Sequence, residues 1–388
     1  MSSVTGTAGG LRRATIAEIN TVKINPTVRP ELVVSGARGT HDVSNFLLIR
    51  IVTSDGVEGI GEVSATLTWS GEDSFTAERV IDAALRPALI GAPLVPVVAL
   101  EERMDRVLAG NPFTKAGIAT ALWDAYARGL GVPLAVALGG PLRDEIRVKC
   151  SLSGNGDRLE TGYRRARDAG FEAFKIKIGM DLDGDVDRLR QARDLAGPDA
   201  FIGLDANGGY DRDTARRAVQ RMAEYDPAFL EQPVQPTDLA GMAAMRSLGL
   251  PIIADESVFG TADLMAVIAA GAADVISLYI GKSGGPGRAL QMATLAAAAG
   301  IGVIIGSNGE LGVGAAAQTQ VAVAAPGLRT DIPSDIIGAH YYQQDVLDQR
   351  EVFGGGLDLT GLRARIGDAP GLGVALRADL AAALGSRA

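Results

Sequence analysis

Short apolar runs recur along the chain at a nearly even beat, each followed by polar or charged residues. They are VKCSL near 150, FEAFKIKIG near 175, AFIGLDAN near 203, AFLEQP near 229, LPIIADES near 253, DVISLYIGK near 277 and IGVIIGSNGE near 303. Successive runs stand 24 to 28 residues apart, and an eighth, weaker one falls near 329 at LRTDIPSD. Between them lie stretches of helical spacing at 183–197, 213–225, 239–249, 261–271 and 287–300. Strands with nearly continuous apolar character that alternate with helices predict a parallel sheet covered by helices. Eight such units close into a (β/α)₈ barrel. An open doubly wound sheet would not require eight beats of such even length.

The first 140 residues follow another pattern. NFLLIRIVTSDGVEGIGEV (45–63) holds two strand-like runs joined at Asp55-Gly56, a hairpin signal. A mostly helical region follows, including 114–131. The expected division is therefore an α+β domain over 1–140 and a barrel over 141–355. A tail, 356–388, lacks the beat and is expected to return to the first domain.

Composition narrows the class. A 388-residue chain with 47% hydrophobic and 21% charged residues is globular, and 50 glycines suit many strand-to-helix loops. The net charge of −9, without a basic run, argues against nucleic acid as a partner. The N-terminus lacks an apolar core of signal-peptide length, and the uncharged segment 289–309 reads as a helix running into a strand rather than a membrane span. With one cysteine, Cys150, no intrachain disulfide forms, and a cytoplasmic location fits. Cys150 reads as a strand residue. Two histidines, His41 and His340, cannot make a histidine-rich metal site.

Barrel chemistry is carried at the C-terminal ends of the strands, and charges fall there in order. The second strand ends in Lys175-Ile-Lys177, the third in Asp205-Ala-Asn207, the fourth in Glu231-Gln-Pro and the fifth in Asp255-Glu256-Ser. The sixth carries Tyr279 and Lys282, and the seventh ends in Ser307-Asn308-Gly-Glu310. Three carboxylates on adjacent strands need a compensating cation. Oxygen-only ligands select a hard one, Mg²⁺ first. Lys175 and Lys177, two apart on a strand, share the interior side, with Phe174 and Ile176 toward the helices. Mutual repulsion and burial are expected to lower the pKa of such a pair, and a lysine near neutrality can act as a base. A cation beside a substrate carboxylate and a basic lysine suit removal of an α-proton, because the enediolate so formed is dianionic.

The ordered set KIK, LDAN, EQP and ADES, with GIATALWDAYARGLGVPLAVALGG (117–140), resembles the muconate-lactonizing subgroup of the enolase superfamily from about 15 to 375. The resemblance implies a capping domain over a modified barrel and a homo-oligomer acting on a small carboxylate substrate. It implies Mg²⁺ on Asp205, Glu231 and Asp255. Lys177 would be the acid/base group, and Lys175 its neighbour on the substrate carboxylate. Asn207 and Glu256 would stand just behind the metal ligands, and cap loops near 27–45 and 62–72 would cover the substrate.

One departure bears on the chemistry. The family usually places a second catalytic lysine in the sixth strand, three residues before a basic residue and a Gly-Gly loop. Lys282-Ser-Gly-Gly puts that position at Tyr279. A phenol is a poor base and a better acid or donor. One-face chemistry, cycloisomerisation or dehydration, is therefore favoured. Epimerisation with Tyr279 opposite Lys177, or a homologue that binds without turnover, are the alternatives. Glu310 and Ser307 are candidate substrate contacts, with Lys282 a further partner for Glu310. His41 reads as an exposed loop residue or a substrate contact, and His340 as packing or, less readily, a catalytic group. Ser283-Gly-Gly-Pro-Gly makes a tight turn, or an anion cradle.

Overall fold

The computed structural model describes residues 13–348 and 357–385. The cap begins with β1 (Ile16–Ile24), a small hairpin of β2 (Val34–Gly36) and β3 (Gly39–His41), then β4 (Phe46–Thr53) and β5 (Glu58–Val63). β1, β4 and β5 form an antiparallel sheet in that order, and the β4–β5 turn carries Asp55 and Gly56 as expected. Helix Pro112–Leu130 lies across this sheet. The approach is close because β5 offers Gly59 and Gly61. A Cβ on either would stand 2.1 or 2.0 Å from a carbonyl oxygen of that helix, nearer than any real contact.

The chain then enters the barrel through β6 (Glu145–Arg147) and β7 (Cys150–Leu152). There follow β8 (Ala173–Lys177), β9 (Phe201–Asp205), β10 (Leu230–Glu231), β11 (Ile252–Ala254), β12 (Val275–Leu278) and β13 (Gly302–Ile305). β7 to β13 pair in sequence order, all parallel. The predicted helices appear at Leu182–Ala196, Arg212–Met222, Leu239–Met245, Thr261–Ala270 and Pro286–Ala298, joined by Asp157–Asp168 and Gly312–Ala324. The eighth beat is present without a strand: residues 327–335 close the barrel through single bridges from Leu328 to Val303 and from Ser334 to Val148. Phe229, Ile253, Val275, Ile304 and Ile332 fill the barrel's interior, while Phe174 and Ile176 join the larger core that includes the outer helices.

β14 (Leu357–Thr360) pairs with β15 (Arg363–Ile366), which pairs with β6 at the barrel entrance. Further on the chain reaches the cap: Leu372 N–H donates to Asp124 and Leu384 accepts from Arg50. Cys150 is fully buried in β7, where burial pushes its thiol up to about 12. Among the described residues no helix is long and apolar enough to cross a membrane.

Candidate active site

A cavity of about 340 Å³ opens where the cap meets the strand ends. Lys175, Lys177, Asn207, Tyr279, Ser307, Asn308 and Asp335 line it from the barrel. Residues of 28–45 and 65–73 line it from the cap. The expected cap loops thus stand over the expected lysines.

Behind the lysines lie the carboxylates. Glu231 pairs in register with Asp205, and Asp255 follows the end of β11. Lys177 Nζ donates to Asp205 Oδ2 at 2.6 Å and Asn207 Oδ1 at 2.9 Å. Lys175 Nζ donates to Glu231 Oε2 at 3.1 Å and Asp335 Oδ2 at 3.0 Å, and lies 3.4 Å from Asp205 Oδ2. The expected depression of the pair's pKa is overturned at Lys175. Burial alone would lower it, but Asp335, Glu231, Asp205 and Asp255 outweigh burial and hold the ammonium well above the lysine range. Against burial, Lys177 and Lys175 hold Asp205 down at about 2. Glu231 goes the other way: burial, opposed by Lys175 and reinforced by its acidic neighbours, pushes it up to about 8.

Backbone shape serves the same row. Asn207 and Gln232, two and one residues beyond the acids of their strands, hold φ of 45° and 35°, a conformation non-glycine residues adopt at a cost and mostly near functional sites. Gln232 Oε1 accepts from the N–H groups of Asp255 and Ser257, tying the fifth strand end to the fourth. Asn207 Nδ2 donates to Glu256, which also meets Arg38 of the cap at 3.2 Å.

On the far side, Tyr279 is 4% exposed. Its ring stacks on Trp69 of the cap at 5.4 Å and 9°, and its hydroxyl donates to Asp255 Oδ2 at 2.9 Å. Gly306 gives the ring room, since a Cβ there would stand 1.9 Å from Tyr279 Cε1. Lys282 is buried and donates to Asp255 Oδ1 at 2.6 Å and to the carbonyls of Asp255 and Ser277. Burial first, then Asp255, pushes the Tyr279 phenol well above its ordinary value.

Several expectations move. Glu310 lies behind the cavity, not in it: it accepts from Ser307 Oγ, Asn308 N–H and Gln318 Nε2, with Ser307 between it and the cavity. Its bonding partners do not include Lys282. His41 is no exposed loop residue, for it lines the cavity. His340 packs on Phe171 at 4.9 Å, away from the cavity. Ser283 begins no anion cradle; its hydroxyl donates to the Tyr279 carbonyl. Sequence reasoning missed Lys149 and Asp335, fully buried partners at 3.0 Å. The signal was available: a lysine inside VKCSL, and an acid closing the eighth beat.

Among the described residues, no three acidic, histidine or cysteine side chains already surround a common point in ligand geometry. The reason is visible in the bonds above: ammonium groups of Lys175, Lys177 and Lys282 lie on the carboxylates, where they supply the positive charge. The donor set still fits a hard cation. Three oxygen-bearing side chains stand on neighbouring strands, and Glu231 Oε1 is buried without any hydrogen-bond partner.

Residues 16–139 match the mandelate racemase / muconate lactonizing enzyme N-terminal domain, and 158–380 the enolase C-terminal domain-like family. The chain is 34% identical to muconate cycloisomerase 1 of Pseudomonas putida over 76% of its length and 79% of the relative's. It is 32% identical to o-succinylbenzoate synthase of Geobacillus kaustophilus over 86% and 87%. The substrate-liganded L-Ala-D/L-Glu epimerase of Bacillus subtilis superimposes with a TM-score of 0.86 at 29% identity, covering 93% of this chain and 98% of that one. The chain therefore belongs to the mandelate racemase / muconate lactonizing enzyme family of the enolase superfamily, and is an isomerase or lyase of that superfamily.

Proposed function

We propose that this enzyme removes the proton α to a substrate carboxylate with Mg²⁺ on Asp205, Glu231 and Asp255. It then resolves the enediolate from one face, as a cycloisomerase or dehydratase. The observation that carries this reading is Lys177, which lines the cavity while its Nζ lies 2.6 Å from Asp205. When bound, Mg²⁺ supplies charge that offsets the second negative charge developing on the substrate carboxylate.

The chain's own groups divide the remaining work. Lys177 takes the proton as the neutral amine, so it must first give up a proton to solvent and turn from Asp205 or Asn207. The ammonium so formed can return the proton to a product carbon on the same side. Lys175, held charged, meets the substrate carboxylate. Lys282 and Tyr279 fix both oxygens of Asp255. The cap loops exclude water, and the division into cap (1–140), barrel (141–355) and tail (356–388) follows this arrangement. Two-face epimerisation is disfavoured, because the Tyr279 hydroxyl is already engaged with Asp255 and, with its pKa raised, yields a phenolate less readily than a free phenol.

The test is exchange of α-hydrogen with D₂O, followed by NMR across hydroxy acids, amino acids, dipeptides, sugar acids and unsaturated diacids. Exchange should require Mg²⁺ and vanish in Lys177→Ala. Exchange that persists without the metal or without Lys177 would refute the assignment, as would a panel in which no acid exchanges and Mg²⁺ does not bind.

A further inference from the structure

The β2–β3 hairpin forms one wall of the cavity. Gly36 beside its turn lies against the side chains of Lys177 and Asn207, and His41 ends β3 opposite Val34. From His41 a hydrogen-bond chain crosses to the barrel. His41 Nε2 lies 2.6 Å from Ser44 Oγ, Ser44 Oγ lies 3.0 Å from the Tyr342 hydroxyl, and that hydroxyl lies 2.7 Å from the Gly309 carbonyl oxygen.

Proton accounting along this chain leaves one arrangement. A carbonyl only accepts, so the single Tyr342 proton goes to Gly309. Ser44 must then donate its own proton to the Tyr342 oxygen. Ser44 Oγ is left to accept from His41, so the hydrogen sits on Nε2. Burial lowers the imidazole's pKa and Lys177 lowers it further, while Asp42 opposes them. The ring is therefore neutral near pH 7, and Nδ1 is a bare acceptor with no partner among the described residues.

Beside His41 that wall carries Thr40, Asp42 and Asn45. Arg38, the one cation lining it among the described residues, has its Nε turned to Glu256 at 3.2 Å and the Asn207 carbonyl at 3.4 Å, at the barrel rather than at His41. Asp42, beside His41, also lines the cavity. Around His41 the wall thus presents a neutral ring and an acid, whereas the barrel side presents the two ammonium groups.

We infer that His41 Nδ1 is a specificity-determining acceptor. The substrate is then a carboxylic acid that carries an O–H or N–H donor toward the cap, not one with a second carboxylate there. This rests on the reading above only for placing the reacting carboxylate at the lysines. A second carboxylate at His41 would set its lone pairs against Nδ1 and lie beside Asp42.

Two measurements test it. In the ¹⁵N spectrum of the folded protein near pH 7, His41 should show protonated Nε2 and bare Nδ1, and Ser44→Ala should lose that fixed tautomer. Calorimetry with Mg²⁺ then compares short acids in matched triplets bearing hydroxyl, methoxy or carboxylate on the same carbon. The hydroxyl member should bind about tenfold tighter, and the gap should close in His41→Phe. A proton on Nδ1 overturns the inference. So does a panel in which the triplets bind alike, the diacids bind best, or nothing binds. α-Proton exchange on the same acids is scored separately, so exchange without donor preference overturns this inference alone, and donor-selective binding without exchange overturns the proposed reaction alone.

Discussion

Strand β8 brings two ammonium groups to the cavity, whereas β12, four strands round the barrel, ends in a phenol stacked on Trp69 and packed against Gly306. On the lysine side amines and acids alternate: Lys149, Asp335, Lys175, then Glu231 and Asp205, with Lys177 on Asp205. On the tyrosine side the ring's partners are aromatic, with one hydroxyl bond to Asp255 and the buried Lys282 ammonium, itself paired with Asp255, 4.1 Å from the ring centroid. The first arrangement can exchange protons and accept a cation with small movements. The second holds a shape. Asymmetry of this kind suits an enzyme that attacks its substrate from one face.

The largest effect that would break the comparison is on the lysine side. Lys177→Ala should reduce α-proton exchange by about a thousandfold or more while circular dichroism stays unchanged. Metal affinity comes next. Glu231 must lose its proton to ligate, and its folded pKa is raised to about 8 from 4.5. Mg²⁺ affinity should therefore climb about tenfold per pH unit up to pH 8 and level off above. The linked stability has the opposite sign. Between about 4.5 and 8 the metal-free fold retains a proton that the unfolded chain has released, so Glu231's contribution falls as pH rises through that window. Titration calorimetry at several pH values checks the first, and denaturant melts without metal the second.

On the tyrosine side the effects should be those of shape. Gly306→Ala drives a methyl into the Tyr279 ring and should cost about 1–3 kcal/mol in urea unfolding. Combined with Tyr279→Ala, the cost should shrink but not vanish, because the methyl gains the space the ring left yet still stands 2.3 Å from Ser277 Oγ. Additive losses would mean that Gly306 serves some other contact. Smallest is Tyr279→Phe, which removes only the bond to Asp255. It should cost about 1 kcal/mol of stability and change exchange by less than about tenfold. A loss as deep as that of Lys177→Ala would make Tyr279 a proton-transfer group and end the asymmetry.

Much of this was legible along the chain. The beat marks the strands because alternating β and α units impose a length, and the acids of β9, β10 and β11 appear in step with it. What escaped depends on contacts between distant segments. Lys175 looks destabilised beside Lys177, since nothing local announces Asp335, 160 residues further on. Lys149 is matched by the Pro333 carbonyl across 184 residues. Glu310 sits at a strand end, like the catalytic groups, but Gln318 and Ser307 turn it aside. His41 reads as a loop residue because its neighbours in sequence are polar, while its neighbours in space belong to the cavity.

The closing segment 327–335 is held to its neighbours by bridges at Leu328 and Ser334 rather than by a full ladder. A register slip in a regular strand turns every alternate side chain to the wrong face. Here an insertion at the exposed Thr330 and Asp331, ahead of the buried Ile332, is expected to leave the seven paired strands where they are. The segment is thus a seam that can be lengthened at its outer edge, while its last residue, Asp335, stays pinned by Lys149, Lys175 and the Ile305 carbonyl.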